Sequence, residues 1–333
     1  MSALSDQMLI VAMFGYLLAM VGHAAEYALG RTRRVPAAVA APELVGAAVG
    51  AASTGASSAL SSDADSLGDA GSAVTGSDQS RFAPLAGRIA VGLTFLAALA
   101  HFVCLLSRAI AADRVPWGNM YEFELTGTFV AIVAWLIALM RRPQLRQLGL
   151  FVTPVMVMLI GAAGLVSYTE IKPLMPALQS SWLVVHVALV SFGSGLFMLA
   201  AIPAVMFLIR EGYDQGKRNF LYPLGDRVPS TESLERLTFR LHSFAFPIFT
   251  FAVAAGAIWA EQAWGRYWGW DPKEVWAFIS WVVYACYLHA RATPYVKRRT
   301  TMWIALLGFL TILVNTFGVN LLITGLHSYA GIK

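Results

Sequence analysis

The chain has 333 residues, a formal net charge of +5, 58% hydrophobic residues and only 13% charged ones. A soluble domain carries about 25% charged residues, so this composition excludes an ordinary water-soluble fold, and the modest basic excess forms no nucleic-acid-binding patch. Apolar runs of about 20 residues, each long enough to cross a bilayer, recur along the chain and make it an all-α, polytopic membrane protein with about eight transmembrane helices.

The first span is expected over residues 9–29. Its polar head is short and no small-residue cleavage site follows, so it reads as a retained helix, the first unit being 1–30. Residues 36–80 are Ala, Gly and Ser with scattered acids (Asp63, Asp65, Asp69, Asp78). They offer no periodic apolar face to bury, and 31–87 is expected to be a disordered cytoplasmic insert. A membrane domain, 88–333, follows, with spans over 88–109, 122–140, 148–168, 181–209, 239–260, 274–290 and 302–325.

The third span opens on Gly118-Asn119-Met120-Tyr121-Glu122. Polar groups at a span's end suit an interface as well as a site. The connection over 210–238 is polar and mixed in charge, with a short surface helix expected near Thr231 to Leu237. Cys104 and Cys286 lie in apolar runs without a CxxC partner. Both read as small buried hydrophobes, and they supply neither a disulfide framework nor a thiol relay.

Basic residues report orientation. Of the 24 Lys and Arg residues, eighteen fall on the first, third, fifth and seventh connections and six on the other side. The positive-inside rule then places both termini and the sixth connection outside. Discounting the long first connection leaves the same answer.

That sixth connection is Trp264-Gly265-Arg266-Tyr267-Trp268-Gly269-Trp270-Asp271-Pro272-Lys273-Glu274. Asp271 suits a helix N-cap, Pro272 the first helical position and Glu274 the return acid of a capping box. Aromatic belts put one or two Trp at a span's end. A glycine-spaced cluster with a built-in cap reads better as an ordered shelf for a large flat ligand.

Trp259 and Ala260, this loop, and Trp276, Tyr287, Leu288, His289 and Arg291 after it resemble the tryptophan-rich WWD signature of haem-handling proteins in cytochrome c biogenesis. The likeness is to the CcsA/ResC (CcsB) family of system II and runs from about Asn119 to His327. It implies handling, export and presentation of haem b for covalent attachment to apocytochrome c. A ResB-like membrane protein would be the partner, with thiol-reducing proteins acting on the apocytochrome, in a bacterial inner membrane. The holocytochrome c synthase activity would be shared with that partner and would consist mainly of templating. The Asn-x-Tyr-Glu start of the third span also matches, which makes Glu122 a candidate supporting residue near the Trp loop. The family's first connection is shorter than this one.

The six histidines divide by depth. An ionisable side chain inside a membrane is a functional candidate, although a neutral imidazole can be satisfied by a backbone carbonyl. His186 lies early in the fifth span and His327 just past the eighth, both at the loop's depth. Two imidazoles flanking an aromatic shelf can supply both axial ligands of a haem iron. Trp264, Tyr267, Trp268 and Trp270 would support the porphyrin, with Asp271 at the helix start. Arg266 and Lys273 would pair with its propionates in water. The resemblance assigns His289 to a second haem inside the membrane, its other ligand coming from the partner. His23 and His242 lie near inner ends and His101 at mid-depth, positions that suit packed polar residues.

Two other functions fit a membrane chain with histidines: a resident haem electron-transfer subunit, and a transporter with the Trp loop as gate. The first is kept open by His23, His242 and His289. The second calls for an internal repeat, and none is clear. Deleting residues 40–78 is expected to leave cytochrome c maturation intact. Loss of maturation at normal protein levels would give that segment a function.

Overall fold

A computed structural model describes residues 2–30, 73–174, 176–323 and 325–327. Eight long helices account for most of them: α1 (Ser2–Leu29), α2 (Ala73–Ala112), α3 (Met120–Arg141), α4 (Gly149–Val166), α5 (Ser181–Asp214), α6 (Thr231–Trp264), α7 (Pro272–Ala292) and α8 (Arg298–Leu313). A π-helical turn, Val314–Gly318, carries α8 on into Val319–Leu322. No strand occurs among the described residues. Helices satisfy their backbone groups internally, which a bilayer core demands.

Among the described residues, seven helical stretches are long and apolar enough to cross a membrane. The exception among the expected spans is residues 274–290. These form α7, of sufficient length, but its Trp, Tyr, His and Arg content dilutes the hydropathy. Large apolar side chains on the bundle's outside, such as Phe14, Phe95, Leu96 and Phe251, are exposed as lipid contact requires.

Several boundaries differ from expectation. Helix α2 reaches back to Ala73, so residues 73–87 of the stretch expected to be disordered are helical; 31–72 lie outside the described residues. The surface helix expected near Thr231 is the first two turns of α6. At 34 residues a helix is about 51 Å long, well beyond a hydrocarbon core of about 30 Å, so its amphipathic start overhangs. Cys104 is buried as expected, but Cys286 is exposed on the outer face of α7.

Small residues set the packing. Helices α1 and α2 run antiparallel with Gly15 on Ala97 and Gly22 on Ala90, close enough that a methyl on either glycine would overlap its neighbour. Such seams let membrane helices approach without a hydrophobic driving force. Helix α5 is the most buried span and packs on α3, α6 and α8. Ion pairs close the end away from the Trp loop: Arg146 with Glu26 at 2.5 Å, Arg210 with Asp214 at 3.0 Å, and Arg291 with Glu235.

Helix α3 crosses α5 closely. A Cβ on Gly195 would lie 2.5 Å from the Gly127 carbonyl oxygen and 3.0 Å from Val130 Cβ. Neither helix backbone can yield cheaply. Gly195→Ala is therefore expected to cost about 1–3 kcal/mol, read as a lower unfolding midpoint in detergent; an unchanged midpoint would show the crossing to be loose.

Candidate functional site

The Trp loop is held by its own backbone chemistry. Gly265, at φ 72°, ends α6 in the left-handed conformation favoured by glycine. Trp270 takes φ 58°, a strained value for a bulky residue. The expected capping box forms: Asp271 caps α7, Pro272 follows, and Glu274 turns back. Its carboxylate accepts from the N–H groups of Gly269 (2.8 Å) and Asp271 (3.1 Å).

Asp271 does more than cap. Its carboxylate also accepts from the Leu326 N–H at 2.7 Å and from His327 Nδ1 at 2.8 Å. The chain beyond α8 is thereby folded back onto the start of α7. Burial alone would raise the Asp271 pKa, but the His327 contact and the Leu326 and Lys273 N–H groups more than offset that, and the carboxyl is held below its ordinary value.

Beneath the loop is a chamber of about 1220 Å³, counting its open mouth. Along α6 its wall runs from Trp264 to Phe249, about 22 Å at 1.5 Å per residue. The start of α3, α5, α7 and α8 complete the wall, and the lining is mostly apolar.

Two imidazoles meet one indole here. His186, on α5, stacks on the buried Trp259 with centroids 6.0 Å apart and planes at 13°. His327 approaches the same ring edge-on at 5.8 Å, and Trp264 at 5.1 Å. His186 Nδ1 donates to the Ala252 carbonyl at 2.7 Å, which fixes its tautomer and leaves Nε2 as the nitrogen that a chamber ligand meets. Its ring lies against Gly256, where a methyl group would overlap it.

Lys273 also lines the chamber, but it does not extend into water outside the loop. Its ammonium turns inward to Asn320 Oδ1 at 2.8 Å, with the Asn315 carbonyl at 3.4 Å and Met120 Sδ at 3.9 Å. The π-turn of α8 contributes that carbonyl, a local irregularity that recurs at functional sites.

The other expected residues separate into two groups. Trp264, Tyr267 and Trp268 line the chamber; Trp270 is 69% exposed and packs edge-on against Trp268 at 5.8 Å. Arg266 is exposed and lies across Gly269. Glu122 is turned away from the loop: it accepts from Arg108 Nε, Arg114 Nη1 and the Gly118 N–H at 2.8, 2.8 and 2.7 Å. It thus ties the end of α2 to the start of α3, whose N-cap is Asn119. His289 is exposed near the far end of α7, away from the chamber. His23, His101 and His242 are buried elsewhere in the bundle. The residue that sequence reasoning left out of the site is Trp259. It stood in the quoted signature, but only the fold shows that both imidazoles rest on it.

Asp271→Ala is expected to lower stability by about 1 kcal/mol through the lost cap and to release residues 325–327, seen as faster proteolysis there. The native carboxyl titrates below the unfolded one, so its contribution is full above about pH 3.9 and is lost as pH falls through the lower native value. Protease sensitivity of this segment that is unchanged by the substitution would contradict the anchoring role.

The sequence profile of the family described as "Cytochrome C assembly protein" matches residues 117–327, the stretch that builds the chamber. The chain is similar to a cytochrome c biogenesis protein CcsA of Guillardia theta, 33% identical, covering 72% of this chain and 85% of that one. A CcsA of Gloeobacter violaceus is 31% identical, covering 75% and 88%. Among solved structures, the cytochrome c heme lyase CcmF shares the fold at a TM-score of 0.59 and 16% identity, over 99% of this chain. The chain spans about half of that protein's length, 48%. By the extent of the profile and the identity to these relatives, the chain belongs to the cytochrome c assembly protein family.

Proposed function

We propose that the chamber receives haem b as its cargo and presents it at the Trp loop for covalent attachment to apocytochrome c. The observation that carries this reading is the placement of His186 and His327 on one indole, Trp259, at the chamber's outer part. Two imidazoles facing an apolar space are the donor set for a six-coordinate haem iron. Carbonyl and carboxylate partners on the two Nδ1 atoms orient both rings. The apolar lining suits a macrocycle, and the inward ammonium of Lys273 suits its anionic side chains.

The chain's share in the reaction is positioning and exclusion of water. The incoming apocytochrome brings two thiols and an imidazole; thioether bonds form between those thiols and the haem vinyl groups. The cytochrome's own histidine displaces one of the two ligands, so that ligand has to be replaceable. No side chain of this protein acts as nucleophile or general base in that scheme.

The same reading sets the protein in a bacterial inner membrane with both termini and the Trp loop on the outer face. Haem arrives from the cytoplasmic side with the help of a ResB-like partner, and other proteins keep the apocytochrome thiols reduced. His289 would hold a membrane-embedded haem jointly with that partner. Its exposure on the outer face of α7 supports a ligand shared with another chain.

Protein purified from cells is expected to carry haem with a low-spin, bis-imidazole optical spectrum. His186→Ala and His327→Ala should each weaken that spectrum, and added imidazole should restore it. A colourless wild-type preparation, or two variants with unaltered spectra, would remove the assignment.

A further inference from the structure

Lys273 is the chamber's inward-facing cation, and its partners are chemically incomplete. An ammonium has three donors. Here one meets Asn320 Oδ1 at 2.8 Å, one the Asn315 carbonyl at the long distance of 3.4 Å, and one only the Met120 thioether at 3.9 Å. No carboxylate forms an ion pair with it among the described residues. Glu274 is committed to two N–H groups of the loop and Asp271 to His327, while Glu124 accepts from Ser167 at 3.0 Å through one oxygen, its other oxygen being buried without a hydrogen bond and not within ion-pair distance of the ammonium. A charge in an apolar wall calls for a counter-charge.

Its place in the chamber matters as much. The ammonium lies among Met120, Asn315 and Asn320, and Lys273 lines the chamber together with the rings of Trp264, Tyr267 and Trp268. Arg266, the loop's other cation, is outside the chamber. The loop thus brings one cation into the chamber's wall beside rings that carry no charge.

We propose that Lys273, with Asn320 and the π-turn carbonyl of Asn315 holding it in place, is an inward carboxylate anchor that sets which edge of the cargo faces out. This rests on the haem reading given above. Haem b carries two carboxylates on one edge and its two vinyl groups away from them. Anchoring a carboxylate at Lys273 leaves the vinyl groups toward the open mouth, where the thiols of an apocytochrome arrive. The anchor is a positioning residue; it takes no part in bond formation.

The test is an optical titration of the full-length protein with three iron porphyrins: haem b, its dimethyl ester, and mesohaem, in which ethyl groups replace the vinyls. Wild type should bind haem b about ten- to a hundredfold tighter than the ester, the range of one charged hydrogen bond. It should bind mesohaem within a fewfold of haem b. Lys273→Met should lose the preference for haem b over the ester while keeping the bis-imidazole spectrum. Equal wild-type affinity for haem b and its ester overturns the anchor, as does a Lys273→Met protein that still discriminates. A large loss with mesohaem would show that the vinyl edge is gripped, not presented. Each of these results leaves the haem reading standing, whereas failure of wild type to bind any of the three removes the reading itself. The comparison of porphyrins on wild type needs no variant, so a misfolded Lys273→Met does not leave the question open.

Discussion

One carboxylate holds the chamber's outer end together. Asp271 starts α7, receives the Leu326 N–H and orients His327, joining chain segments 55 and 56 residues apart through hydrogen bonds of 2.7 and 2.8 Å. Charged hydrogen bonds of this kind are shorter and stronger than neutral ones. That junction fastens the segment after α8 to the start of α7 and helps hold the second imidazole against Trp259. Glu274 performs the complementary task inside the loop, tying Gly269 and Asp271 back onto the helix. The left-handed backbone at Trp270 persists because these contacts over-determine it.

Behind this outer end the bundle supplies rigidity and depth. Helix α5 runs through the middle and presents His186 on the side facing α6. Two glycines allow close approach: Gly195 brings α3 onto α5, and Gly256 brings the imidazole of His186 onto α6. Both are places where a single methyl group would displace a neighbour.

Much of this was legible in the sequence because its causes are local. Apolar runs dictate helices; Asp-Pro-x-Glu dictates a capped start; the depth of His186 and His327 follows from counting residues along the spans. The parts that escaped depend on helix phase and on irregular backbone. Lys273 reads as a loop-edge cation, yet it turns inward because a π-turn exposes the Asn315 carbonyl and lets Asn320 meet the same ammonium. Glu122 reads as a neighbour of the Trp loop, yet two arginines across a turn claim it. Cys286 sits in an apolar run, but that run's outward face carries it.

Helix α7 carries a consequence of its composition. It is the member of the bundle least able to partition into hydrocarbon by itself, with Lys273, Glu274, His289 and Arg291 near its ends. What retains it is lateral: the Trp281 indole N–H donates to Thr250 on α6, and the Tyr284 ring lies against Gly308 on α8. Insertion of such a segment is favourable only alongside neighbours that are already in place. The wall bearing Lys273 therefore depends on assembly order, since it is completed only when the hairpin it shares with α8 has docked on α6.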